Sequence, residues 1–506
     1  MQRSSSPLTE PTTNTTWLAM IGLMLGGALL RLPRLPLQSI AFDEGYSLAV
    51  GSAAWPTLFQ ATLSSGVHPP LFYIIYKTVL PLWGTSEFGG RFVVVMAGLL
   101  TIPCLYQLGR LMFGRQVGLL AAALLALNPL HVWLSQEARM YGFLILLATL
   151  SMLFFWQAVR TNQARYWLGL TVVNALLFNL HYFGLWLPFI QFVALLTDFR
   201  RYFGRFRYWV LAQFVAGLAL LPWIFFTARR PAQTFGIGFL DRPDLLDLPL
   251  TYWNLAIGFS RGNFWPLTGL ALLAVTAALL LGLTQLTARL WPAQKIVVLW
   301  LILPVGLVWL ISQRRSFYAD RYLSFVIPAL LLLVSLGLTQ LKAKGWRWLL
   351  IGAVLAANSY GLLLIARDPA FQKDDWRGAV AYLTAQEQPD DVILLYSTHI
   401  QFPFGYYYDG PLPQKPISLN LENYPLEPLT AGHNRAWLVY PYTRRPTHYP
   451  MQPLLPQGYW QADPDRNPLL VAWLTAHTDN IVEYQHFRGI EMWLVDLSAV
   501  QAIQKP

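Results

Sequence analysis

Residues 17–46 read WLAMIGLMLGGALLRLPRLPLQSIAFDEGY, a long apolar run that ends in a proline-broken stretch and then a pair of acids, Asp43 and Glu44. The apolar part, near residues 17–34, is long enough to cross a bilayer, which takes roughly 20 mainly apolar residues. The acidic pair then sits at a membrane surface. A carboxylate beside a low-dielectric slab is costly to keep ionised, so it persists where it binds a cation, takes a proton or meets a polar substrate. A helix N-cap or a solvated loop acid is the plainer alternative, and the remaining polar residues bear on the choice.

Composition extends the first observation to the whole chain. With 506 residues, 55% hydrophobic and 12% charged, and 21 Trp, it departs from the soluble balance and reads as a polytopic α-helical membrane protein. About eleven transmembrane segments are expected by length and apolarity, near 17–34, 90–108, 117–134, 140–158, 166–181, 185–197, 208–226, 266–288, 296–312, 323–341 and 348–366. Residues 68–83 are also apolar but are interrupted by Pro69, Pro70, Lys77 and Pro81, which suits an interfacial helix. The polar run before Trp17 is long for a cleaved leader, so the first segment is read as a retained helix.

Alternate loops agree on orientation. Arg110 and Arg115, Arg160 and Arg165, Arg200, Arg201, Arg205 and Arg207, Arg289 and Lys295, and Lys342, Lys344 and Arg347 fall in one set, with Asp198 as almost its only acid. Lys and Arg in short loops are retained in the cytoplasm. The opposite set holds Asp43, Glu44, His68, Glu137, Arg139, His181 and the stretch 314–321, so nearly all the polar chemistry faces outward. The expected organisation is a membrane module over residues 1–367 with a long first external loop, 35–89, a cytoplasmic N-terminus, and an extracytoplasmic domain over 368–506 in a bacterial-type plasma membrane. The lone Cys104 lies in a span, so no intramolecular disulfide is available. The net charge of +11 mostly reflects the cytoplasmic loops. It favours anionic membrane lipids as partners and gives no support to nucleic-acid binding.

After about residue 368 the apolar runs shorten. Residues 392–396, 436–440 and 491–496 read as strands, 375–384 as a helix, 469–476 as a second helix, and the Pro- and Tyr-rich stretch 402–463 mainly as loops. A small α/β domain is expected.

Four outward motifs carry the chemistry. His68-Pro69-Pro70 holds its histidine extended at the mouth of the interfacial helix. Glu137, Arg139 and Tyr141 share a very short outer turn, where the acid and the cation either pair with each other or face a substrate. His181-Tyr182 ends another span and is either an aromatic-belt feature or part of a site. Arg314, Arg315, Arg321 and Tyr322 form a basic cluster on the side where arginine is disfavoured; the guanidinium fork suits a phosphate, or a lipid headgroup. Carboxylates, histidines and arginines at the outer rim fit transfer of a sugar from a polyprenyl phosphate. The leaving phosphate needs its charge neutralised, and the acceptor hydroxyl needs a base. Asp43 is the expected base.

These motifs resemble the GT-C glycosyltransferases, specifically the family-39-like members related to protein O-mannosyltransferases and to the aminoarabinose transferase of lipid A. The marks are Phe42-Asp43-Glu44, His68-Pro69-Pro70-Leu71, Arg91, Ser135 to Tyr141, His181-Tyr182, Arg321-Tyr322 and Asp375-Trp376-Arg377. The resemblance implies inverting transfer from a polyprenyl-phosphate sugar to a lipid, glycan or protein acceptor, with Asp43 as the carboxylate at the reacting centre. Glu44, which orients a loop or a metal, and Glu137 are counted with it as catalytic candidates, and the same resemblance bears on the binding residues. It assigns donor-phosphate and substrate binding to His68, Arg139, Tyr141, His181, Tyr182, Arg315, Arg321 and Tyr322. Some relatives place an acid just before the proline motif, where this chain has Val67. A hard divalent cation such as Mg or Mn, held by carboxylates and the substrate phosphate, fits this chemistry without assigned ligands. The rival class is a transporter or flippase of lipid-linked saccharide, for which repeats and mid-membrane charges would speak; here the charges gather on one face. Sugar and acceptor depend on pocket shape, which no motif encodes.

Overall fold

The computed structural model describes residues 14–228, 240–258, 265–284, 291–368, 371–396, 398–417, 426–441 and 468–498. They divide into two compact units: residues 14–35 with 50–368, and residues 36–49 with the described residues from 371 onward.

The first unit is helical. Every expected span falls on a helix wherever it is described, residues 285–288 of one segment lying outside. Among the described residues, Glu87–Phe113, Tyr141–Thr161, Pro292–Ser312 and Lys344–Arg367 are long and apolar enough to cross a membrane by themselves, and the number rises to 6 if each of two bent pairs is one span. Several other segments are apolar helices of 10–17 residues. At about 1.5 Å per residue these fall short of a hydrocarbon core roughly 30 Å thick. The expected interfacial helix is one of them, Leu71–Trp83.

One break positions the site. Arg115–Leu127 and Pro129–Ser135 meet at a bend of 60°, because Pro129 starts a new helix that Asn128 caps, its side chain accepting from His131 N at 2.8 Å. The Asn128 amide also donates to the carbonyls of Leu255 (2.8 Å) and Ala256 (3.1 Å). The second half-helix is thereby aimed at the turn that holds Glu137 and Arg139. Elsewhere Lys295 pairs with Asp198, joining two loops assigned to the same side.

The second unit is built on a five-stranded sheet: β1 (Asp391–Tyr396), β2 (Gln414–Ile417), β3 (Arg435–Pro441), β4 (Ile481–Phe487) and β5 (Ile490–Asp496), in the order β2-β1-β3-β5-β4. β1 runs parallel to β2 and β3, and β5 is antiparallel to β3 and β4. Both faces are covered. Ile393, Leu395, Trp437, Val439, Met492 and Leu494 pack with the helices Trp376–Gln386 and Gln401–Tyr407, while Val392, Leu394, Leu438 and Val495 pack with Trp473 and Leu474. Strands buried on both faces read as continuous apolar runs, which is why β1, β3 and β5 match the expected strands. β4 is an edge strand whose residues are almost all half-buried and β2 is short and holds Pro416; both escape a search for apolar runs. The stretch 402–463 is also less loop-like than expected, holding most of the helix Gln401–Tyr407, the helix Glu427–Thr430 and β2. Residues 418–425 and 442–463 of it lie outside the described residues.

Residues 36–49 pack among these C-terminal elements. Ile40 N donates to Tyr407 Oη at 2.8 Å, and the Phe42 and His399 rings meet edge-on at 5.2 Å. Gly45 permits the contact: a Cβ there would lie 2.8 Å from Pro403 N and 2.9 Å from the Phe402 carbonyl carbon.

Candidate active site

In the helical unit, His68, Arg139, Tyr141, His181 and Tyr322 come together. The paired prolines hold His68 at the start of Leu71–Trp83, and Arg139 Nη2 reaches His68 Nε2 at 3.1 Å. The His68 and His181 rings lie 5.0 Å apart, and Tyr322 is 5.9 Å from His181 and 6.2 Å from Tyr141. The Arg321 guanidinium lies 5.3 Å from the Tyr322 ring centre. His68, Arg139 and His181 are all buried.

The hydrogen bonds dictate the protonation of both histidines. Arginine only donates, so His68 Nε2 must accept from Arg139, and the ring proton sits on Nδ1. His181 Nδ1 accepts from Phe183 N at 3.1 Å, so its proton sits on Nε2. His68 Nδ1 and His181 Nε2 are both buried without a hydrogen-bond partner among the described residues, as is His131 Nε2 elsewhere in the unit. Burial, reinforced by the neighbouring His181, Arg139 and Arg321, holds His68 well below the usual imidazole range, so it stays neutral. The cluster therefore offers cationic guanidinium and two buried N–H donors. An oxygen-rich anion answers that arrangement; an unpartnered buried donor otherwise costs about 1–3 kcal/mol.

Three supports lie behind the cluster. Tyr182 Oη donates to Gly66 O and accepts from Trp223 Nε1, each at 3.1 Å, so Tyr182 steadies the loop that leads to His68. Glu137 Oε1 accepts from Trp133 Nε1 at 2.6 Å. Asp320 is buried and accepts from Thr251 Oγ1 at 2.7 Å and Asn254 Nδ2 at 2.6 Å, with Tyr318 Oη donating to Thr251 at 2.8 Å. That anchor holds the loop bearing Arg321 and Tyr322, and sequence reasoning missed its two polar partners because they lie on a separate helix, Asp247–Ile257. Arg315 is exposed and takes no part in these contacts. Arg91 is buried and donates to Leu35 O at 2.6 Å.

In the second unit the acidic pair opens the helix Phe42–Ser52. Glu44 is buried; one oxygen accepts from Ala41 N at 2.8 Å and the other pairs with Lys373 Nζ at 2.8 Å. Asp43 is less buried than Glu44, as neighbours on a helix diverge. Asp375 caps the helix Trp376–Gln386, accepting from Gly378 N at 3.1 Å. Arg377 Nη2 donates to Pro36 O at 3.0 Å. The Asp375-Trp376-Arg377 motif thus supplies a helix cap and a tie to the acidic segment. Among the described residues no group of three or more His, Cys, Asp or Glu is placed to hold a metal ion, and Glu44 is already committed to Lys373.

Residues 67–226 match the family described as dolichyl-phosphate-mannose-protein mannosyltransferase. No curated protein sequence matches the chain. Among solved structures, ArnT from Cupriavidus metallidurans in the apo state is similar with a TM-score of 0.62 and 14% identity, over 95% of this chain and 98% of that one. The same protein bound to undecaprenyl phosphate gives 0.61 at 14% identity over the same shares. The Archaeoglobus fulgidus oligosaccharyltransferase in complex with Zn and sulfate gives 0.55 at 13% identity, over 83% of this chain and 67% of that one. At such identity the likeness speaks to fold, and the resemblance read from the motifs is borne out: this chain has the fold of two GT-C glycosyltransferases, with the mannosyltransferase family's pattern across residues 67–226.

Proposed function

We propose that this protein is an inverting glycosyltransferase, moving a sugar from a polyprenyl-phosphate donor to an acceptor hydroxyl on a lipid, glycan or protein. The observation that carries this reading is the buried cluster of Arg139 with two neutral histidines, each holding one N–H without a protein partner. A phosphate ester supplies the acceptor oxygens that those donors lack. The fold supports the same reading, since one similar structure is of ArnT bound to undecaprenyl phosphate and another is of the archaeal oligosaccharyltransferase AglB with an inhibitory peptide and a dolichol-phosphate.

In the proposed step the acceptor oxygen attacks the anomeric carbon from the face opposite the phosphate. The new C–O bond forms as the bond to the phosphate oxygen breaks, and the electron pair leaves with the lipid phosphate. That phosphate gains a negative charge. Arg139, Arg321, His68 Nδ1–H and His181 Nε2–H stabilise it as it grows; fixed donors cost no reorganisation at the moment of reaction. Tyr141 and Tyr322 supply an aromatic wall for the sugar. By the resemblance of its motif Asp43 takes the acceptor's proton, while Glu44 is held by Lys373 and Glu137 by Trp133. Glu44 and Glu137 are thereby assigned to support. We place the N-terminus in the cytoplasm and the C-terminal unit outside a bacterial-type plasma membrane, following the loop arginines.

Purified protein in lipid nanodiscs, given labelled polyprenyl-phosphate sugar, should release the lipid phosphate only when an acceptor is added. Movement of intact donor across liposomes without cleavage would instead make it a flippase.

A further inference from the structure

Lys373 opens the run Lys373-Asp374-Asp375-Trp376-Arg377 and is the buried partner of Glu44. Its side chain is 7% exposed and that of Glu44 1%. Taking both charges out of water is costly, and a well-packed apolar pair often stabilises a fold at least as well. The unit has no need of the pair for its core, since apolar clusters already cover both faces of the sheet. What an ion pair adds is one fixed arrangement, and this one lies one residue from Asp43.

The main chain of Lys373 is itself tied down. Arg488 Nε donates to Lys373 O at 2.7 Å and Arg488 Nη1 to Gln372 Oε1 at 2.8 Å, while Asp375 N donates to Arg488 O at 2.8 Å. Lys373 N reaches Gln38 Oε1 at 3.3 Å. Arg488 and Gly489 form the turn between β4 and β5, and Gly489 has φ 78°. A Cβ at Gly489 would also run into the Asp374 carboxylate. At the other end, Glu44 holds Ala41 N at 2.8 Å, and Ser47 Oγ donates to Asp43 O at 2.9 Å. A continuous set of contacts thus runs from the β4–β5 turn through residues 372–375 to the first turn of the helix that bears Asp43.

We propose that Lys373 is a positioning residue: by fixing Glu44 it sets the direction of the Asp43 carboxylate, and the β4–β5 turn holds Lys373 in place to do so. This rests on the reading of Asp43 as the base. The C-terminal unit would then be a working part of catalysis rather than an appendage.

The test uses the full-length protein in nanodiscs with labelled polyprenyl-phosphate sugar, comparing K373M, K373R and R488A. A misplacement of about 1 Å at a reacting group costs about 10²-fold. K373M should therefore lose kcat to about that degree while the donor KM stays within about twofold, and K373R should recover most of kcat. R488A, a milder change at the far end, should lower kcat about tenfold with the same unchanged KM. Hydrogen exchange of residues 40–48 should quicken in K373M and R488A. An unchanged kcat in folded K373M, or donor KM rising in step with the loss of kcat, would overturn the proposal. If K373M does not fold, R488A decides, and an unchanged kcat with unchanged exchange there overturns it. If the wild type transfers no sugar, the proposed activity fails on its own account. The link from Lys373 to residues 40–48 is then judged by exchange alone, and no change in either variant sinks it.

Discussion

In the helical unit, His68 and His181 each keep a buried N–H without a protein partner, whereas in the C-terminal unit the buried Glu44 is matched oxygen by oxygen, by Lys373 and by Ala41 N. Both regions place costly polar groups out of water. One leaves two imidazole donors unmatched, which is a standing cost that a ligand relieves; in the other each oxygen of the Glu44 carboxylate already has its partner. The difference separates a binding site from a scaffold. It also bears on the opening motif, where Glu44 is spent on structure through Lys373 and Ala41 N.

Substitutions that break this contrast should differ in size and in kind. Asp43→Asn should cost the most, lowering kcat about 10³-fold as the base is lost, with donor binding preserved; retained turnover in acceptor-dependent release would remove Asp43 from the chemistry. Arg139→Gln removes the cation bonded to His68 and should cost about 10²-fold in kcat/KM, much of it seen as weaker donor binding in a titration. Arg321→Gln, at the edge of the cluster, should weaken donor binding about tenfold. Gly45→Ala works through the scaffold: its Cβ meets the backbone of Phe402 and Pro403 and should destabilise the C-terminal unit by about 1–3 kcal/mol, read as a lower melting midpoint.

The smallest effect expected is on pH. Folded His68 is held below the ordinary imidazole value, which is about 6.5 in an unfolded chain. As pH falls through that value the unfolded chain takes up more protons than the folded one, so stability should be level above about pH 7 and fall below about 6.5. His68→Asn should flatten that fall in a melting series, and an unaltered slope would mean that other groups set it.

Much of the site could be read from the chain because its residues are exceptions where they stand. A histidine before two prolines, an arginine in a short turn between apolar segments and a second arginine beside another apolar segment each conflict with their surroundings, and His68, Arg139 and Arg321 are the residues that the structure gathers around His181. What could not be read is who pairs with whom. Lys373 looks like one charge in a polar run, and its partner is a glutamate from the first external loop; Thr251 and Asn254 look like ordinary helix residues until Asp320 is seen between them. Such pairings depend on how distant segments meet and leave no local pattern. The fold divides the same way: β1, β3 and β5 announce themselves as buried runs, while the edge strands β2 and β4 do not. Hydropathy located the helices well but registers apolarity without the bend at Asn128 and Pro129, which divides one expected span into two helices.

The measurement that bears most directly on the phosphate site is equilibrium binding of polyprenyl phosphate to the wild type, to Arg139→Gln and to the double variant His68→Phe with His181→Phe. Phenylalanine keeps the ring shape and removes both N–H donors. Binding should weaken at least about tenfold in each variant, with the melting midpoint of the folded protein in hand as a control. Unchanged affinity in both folded variants would contradict the assignment of that cluster to the donor phosphate.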